Sequence, residues 1–551
     1  KKPMDIKQLL HKEILQAARR AMDEGLLPVC ELPAVILEVP PQKEFGDYAT
    51  NVALQAARVA RTKPRVIAEA IAGRMKADWL TRAEVAGPGF INFFLKSDWL
   101  SGGLREILAA GDQYGNSTVG AGRKVQVEFV SANPTGPLHV GHGRGAAVGS
   151  ALANLLRAAG YDVRTEFYIN DAGNQIDNLA ASVNARYREL LGEPAAVPED
   201  GYHGQDIIET ARRIIEREND TYLAVPEEER LAIFKELALQ EKLAALREDL
   251  AAFNVSFDVW FSERTLHDSG AINETCQNLY REEGALWLKS TRYGDDKDRV
   301  VIRDNGQPTY LAADIAYHRN KFERGFETVI NIWGADHHGY ICRVKAALTA
   351  LGYDPDRLEV LILQMVSLYR HGELVKMSKR TGQGVTLNEL IEEVGTDAAR
   401  FFFIMRSLDS QLDFDLDLAT SRSNENPVYY IQYAHARIAS IFRQAAEAGI
   451  STAGLAQAGF ELLTDDTETT LIKKLSEYPS EIERAARGRA PHRIAHYVYE
   501  LAGLFHTFYN QCRIIGVDPD LQRARLGLVQ AVQGVIRHSL TILGISAPQK
   551  M

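Results

Sequence analysis

The chain has 551 residues, of which 46% are hydrophobic and 25% charged, the balance of a soluble globular protein too long for one core, so three or four domains are expected. A formal net charge of −10 excludes a protein that coats any polyanion; RNA contact would need local basic patches on an acidic body. Cys30, Cys276, Cys342 and Cys512 lie too far apart for a disulfide framework or a zinc cluster, which suits a reducing cytoplasm.

The opening segment, Lys1 to Glu13, is charged and helical in pattern and lacks the apolar core of a signal peptide. No run approaches the length of a membrane span, so no membrane role is expected. Residues 1–115 alternate helical patterns with short strands and close with the strand-like Phe90 to Leu95 after Gly87-Pro88-Gly89. Val125 to Val130 then predicts a strand that runs through a Pro/Gly turn into a small-residue helix, Gly143 to Ala159, the opening of a nucleotide-binding α/β domain. A Pro/Gly-rich stretch, Gly192 to Gly204, leads into charged helices from Ile207 to Phe253 that read as an insertion spanning about residues 175–290. Strands return at Arg299 to Arg303, Thr328 to Trp333 and Leu358 to Met365. Beyond about Asn388 the pattern is almost wholly helical, with a polar loop near Thr464 to Thr470. The expected fold is α/β: a doubly wound, Rossmann-type parallel sheet over residues 116–385, a small α+β domain before it, a connecting segment 386–425, and an all-α bundle over 426–551.

Two short motifs carry chemistry. Pro137-Leu138-His139-Val140-Gly141-His142-Gly143 puts two imidazoles at a helix N-terminus, where they and the helix dipole would meet a phosphate. Gly141 leaves room for a flat adenine to approach the backbone. A zinc pair is the alternative, and it lacks further ligands at suitable spacing. Lys376-Met377-Ser378-Lys379-Arg380 offers cations on a loop for a departing pyrophosphate. A solvated basic loop is the blander alternative, but Thr386 and Glu389 form a capping box that would pin this one to a helix. Neither a Walker A loop nor Gly-x-Gly-x-x-Gly is present. Asp413 fails as the start of a calcium loop because Leu418 and Asn424 stand where glycine and glutamate are needed; Phe414 and Leu416 point to an extended segment with one packed face.

His139 to His142 followed by Lys376 to Lys379 resembles the paired signatures of class I aminoacyl-tRNA synthetases. Within that class the chain resembles the bacterial-type arginyl-tRNA synthetases from end to end. The matching stretches are Phe45 to Asn51, Gly87 to Asn92, Val127 to Gly136, Tyr310 to His318, Trp333 to Gly339, Asn426 to Ala434 and Leu543 to Met551. The resemblance implies arginine–tRNA ligase activity, with ATP and magnesium as the substrate complex, L-arginine and tRNA(Arg) as partners, a monomer, a cytoplasmic location and no structural metal. It assigns His139, His142, Lys376 and Lys379 to catalysis. ATP contacts are expected at Gly141, Gly334, Asp336, His338, Met377 and Ser378. Asp336 and His338 also follow a strand at the carboxyl edge where open sheets place ligands, and adjacent His337 and His338 diverge too much for a metal pair.

Arginine's planar fork of donors demands carboxylates. Tyr310 and Asp314, four apart, share a face if this stretch is helical, and the resemblance gives them the guanidinium together with Glu263. The alternatives are a packed tyrosine with a surface acid, and a surface ion pair for Glu263. Glu128, Ser131 and Asn133 resemble the residues around the substrate's α-amino and carboxylate groups; otherwise Asn133-Pro134 is a turn. Arg484, Arg487, Arg489 and Arg493 form a basic cluster with aromatics alongside, among them Tyr429, Tyr433, Tyr497, Phe508 and Tyr509, a combination that can hold phosphates while splayed bases stack. The resemblance makes this the anticodon-binding region, and extends tRNA contacts to Asn51, Tyr509 and Met551. It also implies that tRNA must bind before arginine is activated. A nucleotidyltransferase acting on a small phosphorylated substrate would explain the first motif alone, and a non-catalytic RNA-binding relative would keep only the helices.

Overall fold

The computed structural model describes residues 5–277, 279–378 and 383–551. The N-terminal region folds as an antiparallel four-stranded sheet, Leu37–Glu38, Tyr48–Thr50, Phe90–Leu95 and Leu80–Ala86 in spatial order, against helices that include Ile6–Asp23, Val52–Ala60 and Pro64–Ala72. Its central strand buries Ile91, Phe93 and Leu95.

The central sheet is parallel throughout. It is built from β1 (Lys124–Glu128), β2 (Asp162–Ile169), β3 (Val259–Ser262), β4 (Thr328–Gly334) and β5 (Leu358–Leu363), in the order β5-β4-β1-β2-β3. Strand order therefore reverses between β1 and β4, which opens a crevice at their carboxyl ends. Helix α1 (Val140–Ala158) links β1 to β2; its alanines, glycines and leucines are buried on nearly every face, as a core helix requires. Between β2 and β3 the helices Asn174–Leu190, Gln205–Glu218 and Glu227–Ala252 enclose a small core of their own around Tyr187 and Phe234. A three-stranded antiparallel sheet, residues 280–302, precedes α2 (Tyr310–Glu323), which leads into β4.

Past the sheet, α3 (Leu387–Val394) and α4 (Thr396–Ile404) lead to the strand Leu412–Asp415, with alternating burial. It pairs in parallel with Val366–Arg370. The C-terminal bundle includes α5 (Pro427–Glu447), α6 (His492–Gln511) and α7 (Pro519–Leu543). Two features differ from expectation. The polar stretch near Thr464 starts a helix, Asp466–Ser476, through a capping box between Asp465 and Glu468. Helix α7 is long enough to match a membrane span, with mean hydropathy 1.2 over 18 residues, and 67% of that window is buried. Its small residues hide this from a reading of consecutive large apolar side chains, and its apolar face is spent on the bundle core.

Buried cations join the parts. Arg400 on α4 donates to Leu543 O (2.9 Å), Phe253 O (3.3 Å), Asn254 O (3.3 Å) and Ser150 Oγ (2.6 Å). It thereby ties the end of α7 and the end of the insertion to α1. Gly544, at φ +71°, closes over this guanidinium; a Cβ there would stand 2.3 Å from it. Lys473 holds the N-terminal domain to the bundle through Asp47, at 3.0 Å from its carbonyl and 3.1 Å from its carboxylate.

Candidate active site

His139 is the N-cap of α1, in extended conformation. Its N–H donates to His142 Nδ1 at 3.2 Å, which leaves the His142 proton on Nε2, and the two rings stack with centroids 4.3 Å apart. Burial lowers the pKa of both imidazoles, that of His142 to about 4 with a further push from His139. Both are therefore neutral at pH 7 and act as hydrogen-bond donors at a helix N-terminus. A Cβ on Gly141 would meet open space, which leaves the backbone accessible there.

The second motif is stitched to the first. Leu387 N–H donates to Leu138 O at 2.9 Å, and His139 and Thr386 form an antiparallel bridge. A Cβ on Gly143 would come within 2.8 Å of Leu387 Cδ1, so glycine permits this close approach of α1 and α3. Thr386 and Glu389 form the expected capping box, and Glu389 Oε2 also accepts from Ser378 Oγ at 2.5 Å. Ser378 is thereby buried while Lys376 and Met377 remain exposed. Lys379 lies outside the described residues.

Three carboxylates gather at the crevice. Glu128, at the end of β1, accepts from Lys321 Nζ on Oε1 (2.6 Å) and from Ser131 Oγ on Oε2 (2.9 Å). Val130 and Ser131 both have positive φ, 67° and 45°, and a β-branched residue held there is strained. The turn points Ser131 Oγ back at Glu128 and lets it accept Tyr168 N–H at 3.1 Å. Glu263, 6% exposed, follows β3; Asn170, with its amide turned to donate, reaches its Oε2 at 2.9 Å. Buried Asp171 fixes this corner by accepting from Ser262 Oγ and from Arg264 N–H at 3.0 Å. Asn133 faces Asn170 amide to amide at 3.4 Å.

Tyr310 opens α2 and is 69% exposed; Asp314 lies one turn on, partly buried. Burial first, then the charges of Glu128 and Glu263, raise the Asp314 pKa to about 7, and burial raises that of Glu263. The buried hydroxyls of Tyr168 and Tyr340 face Glu263 and Asp314, respectively. Among the described residues the lysine within reach, Lys321, is committed to Glu128. Such a pocket is short of positive charge, and a guanidinium supplies it with a planar fork of donors. Gly334 ends β4, and Asp336 and His338 sit exposed in the turn after it, on the other side of the switch point.

Comparison with known proteins bears on what this crevice serves. Residues 103–406 match the family model for the class I (R) tRNA synthetase catalytic domain, 5–95 the arginyl tRNA synthetase N-terminal domain, and 431–551 the DALR anticodon binding domain. The chain is 53% identical to an arginine–tRNA ligase of Carboxydothermus hydrogenoformans, over 99% of both chains. It is 54% identical to one of Heliobacterium modesticaldum, over 98% of this chain and 97% of that one. The chain belongs to the arginyl-tRNA synthetase family. The fold agrees with that of Thermus thermophilus arginyl-tRNA synthetase, at TM-score 0.71, 24% identity, and coverage of 99% of this chain and 100% of that one.

The remaining expected residues of the synthetase lie on its helical face. Arg484 and Arg487 are exposed. Arg493 is drawn to Glu481 at 2.8 Å. Arg489 departs from the expectation of a solvent-facing base: it forks onto both carboxylate oxygens of Glu359 on β5, each at 3.0 Å, and its side chain is only 14% exposed. Its role is to bind the bundle to the central sheet. Tyr509 is partly exposed and Arg437 covers its ring at 4.1 Å, while the same guanidinium reaches Tyr433 Oη at 3.1 Å. Tyr497 and Phe508 belong to the bundle core. Asn51 caps Val52–Ala60, and Met551 is exposed at the end of a tail pinned to α5 through Pro548 O on His435.

The synthetase's motif residues were legible in sequence; several that organise them were not. Lys321, Asn331 and His318 tie Glu128 to α2, and Asp171 and Asn170 hold Glu263. For Lys321 and His318 a signal existed, since Asp314, His318 and Lys321 fall at i, i+4 and i+7 on one helical stripe.

Proposed function

We propose that the crevice joins L-arginine to ATP as arginyl adenylate and then transfers the arginine to the terminal ribose of tRNA(Arg). As a family member the chain is an arginine–tRNA ligase and a class I aminoacyl-tRNA synthetase, with ATP-dependent chemistry. The observation that carries the finer reading is the electrostatic convergence of Glu128 and Glu263 on Asp314 at the carboxyl edge of the central sheet, the edge at which α1 presents the paired histidines.

In the first step an oxygen of the ionised arginine carboxylate attacks the α-phosphorus of ATP. The bond from that phosphorus to the bridging oxygen breaks and pyrophosphate leaves, so no general base is needed. His139 and His142, as neutral donors, stabilise charge on the α-phosphate, while Lys376 and Lys379 hold the departing pyrophosphate. Magnesium arrives with the triphosphate as part of the substrate. Gly141, Gly334, Asp336, His338, Met377 and Ser378 line the nucleotide's place. Tyr310, Asp314 and Glu263 take the guanidinium; Glu128, Ser131 and Asn133 take the α-amino and carboxylate end. In the second step the ribose hydroxyl attacks the arginyl carbonyl and AMP departs.

Arg484, Arg487 and Tyr509 on the helical face, with Asn51 and Met551, are the proposed tRNA contacts. The proposed setting is a monomer in the cytoplasm, where family members serve protein synthesis. The test is arginine-dependent exchange of labelled pyrophosphate into ATP, with and without tRNA(Arg). Exchange is expected only with both present; exchange without tRNA would remove the coupling, and none from folded protein would overturn the activity.

A further inference from the structure

Beneath the crevice floor lies a buried polar chain that touches no substrate position directly. Lys321, on α2, is fully buried. Its Nζ donates to Glu128 Oε1 on β1 at 2.6 Å and to Asn331 Oδ1 on β4 at 3.0 Å, and lies 4.5 Å from the centre of the Tyr317 ring. An ammonium has three N–H groups, so these partners use all of them. Asn331 Nδ2 in turn donates to His318 Nε2 at 2.8 Å, and His318 Nδ1 donates to Asp314 O at 2.7 Å. Lys321 thus spans the point where strand order reverses and is linked, through two side chains, to the backbone that carries Asp314.

A buried ion pair is a poor way to stabilise a fold, because desolvating both charges costs about as much as their attraction returns, and an apolar pair of similar volume serves as well. The placement makes sense for recognition. Glu128 sits within electrostatic reach of Asp314 and Glu263. The other charges nearby are paired among themselves: Glu166 of β2 accepts both the Tyr317 hydroxyl and the Arg324 fork. Without Lys321, Glu128 would lose the donor that fixes its Oε1 and face the like charge of Asp314, which turns its carboxylate away from an incoming ammonium.

Resting on the reading above that Glu128 meets the amino end of arginine, we propose that Lys321 is a positioning residue for substrate recognition. It holds the Glu128 carboxylate aimed at the α-ammonium without touching arginine itself.

The test is a double-mutant cycle in aminoacylation of tRNA(Arg), with Lys321→Met, Glu128→Gln and the double variant. Lys321→Met is expected to raise KM for arginine about tenfold or more while KM for ATP stays within about threefold. The double variant, which leaves no unpaired charge, is expected to be no weaker for arginine than Glu128→Gln alone. Inhibition by 5-guanidinopentanoate, which is arginine without its α-amino group, is expected to be unchanged by Lys321→Met. Additive losses in the double variant, or equal weakening of that analogue, would overturn the proposal and leave Lys321 as packing. If Glu128→Gln itself leaves KM for arginine unchanged, the reading of Glu128 fails instead. Should Lys321→Met not fold, Asn331→Ser, which removes the amide that joins Lys321 to His318 and leaves the Lys321–Glu128 pair in place, decides: a raised arginine KM at fixed ATP KM supports the role, and an unchanged one overturns it.

Discussion

The proposed role of Asp314 makes arginine capture sensitive to pH in a calculable way. In the free enzyme its carboxyl titrates near pH 7, because burial and the charges of Glu128 and Glu263 oppose ionisation. Guanidinium binding requires the ionised form. At pH 8 about nine-tenths of the enzyme is ready, at pH 7 half, and at pH 6 about one-tenth, so kcat/KM for arginine should fall close to tenfold per unit below 7. His142 titrates near 4 and His318 near 3, outside this window, and burial moves His139 down from its ordinary value. For the unliganded protein the sign is opposite. A raised carboxyl pKa means the folded state binds more protons, so this group's contribution to stability is present at low pH and lost as pH rises from 3.8 through 7. Arginine should therefore stabilise the protein more at pH 8 than at pH 6, by about 1.4 kcal/mol for a tenfold tighter Kd at saturating ligand. The assay is kcat/KM for arginine from pH 5.5 to 8.5 at saturating ATP and tRNA, repeated with Asp314→Asn. A flat profile from 6 to 8, or the same acid limb in Asp314→Asn, would refute the reasoning.

Other outcomes follow from single contacts. Gly544→Ala combines a left-handed backbone with a 2.3 Å approach to the Arg400 guanidinium, and should cost about 2 to 4 kcal/mol in urea unfolding; a loss under about 0.5 kcal/mol would contradict the packing described. Glu389→Ala removes the reciprocal half of the α3 capping box and an acceptor for Ser378, so kcat should fall about tenfold with arginine KM little changed; a pure KM effect would place the loop outside the chemical step. Arg487→Ala should weaken tRNA binding and reduce its salt slope by about one, measured by filter binding over a salt series. Arg489→Ala should instead lower stability, because it strands Glu359, and should leave that slope alone; the reverse assignment would mean Arg489 leaves its ion pair to meet RNA.

What the sequence discloses here is what lies close along the chain. The histidine pair, the Thr386–Glu389 box and the Tyr310–Asp314 face each span a turn of helix or less, so local spacing is enough to read them. The parallel sheet was legible in part: Val125 to Val130, Thr328 to Trp333 and Leu358 to Met365 mark β1, β4 and β5, whereas β2 and β3 carry no comparable mark and Arg299 to Arg303 belongs to the separate antiparallel sheet. Partnerships across long separations were hidden. Lys321 finds Glu128 across 193 positions, and Arg489 finds Glu359 across 130, so the basic cluster that reads as one RNA-facing patch divides into exposed and buried members. The left-handed Val130 was hidden too, because a β-branched residue argues for a strand until the tertiary structure overrides it.

The Arg400 junction bears on how such a protein can be cut and recombined. One guanidinium is shared by the helix that bears the paired histidines, the end of the insertion and the last turn of the final helix, and a glycine beyond that turn lies against it. A graft that replaces the RNA-reading module with a foreign one must bring its own carbonyl and its own glycine to that spot. Otherwise it leaves a buried cation short of acceptors next to the nucleotide's helix. The seam between chemistry and recognition is thus no free cassette boundary, and an engineered crossover would do better between α4 and α5, with Leu543 and Gly544 retained.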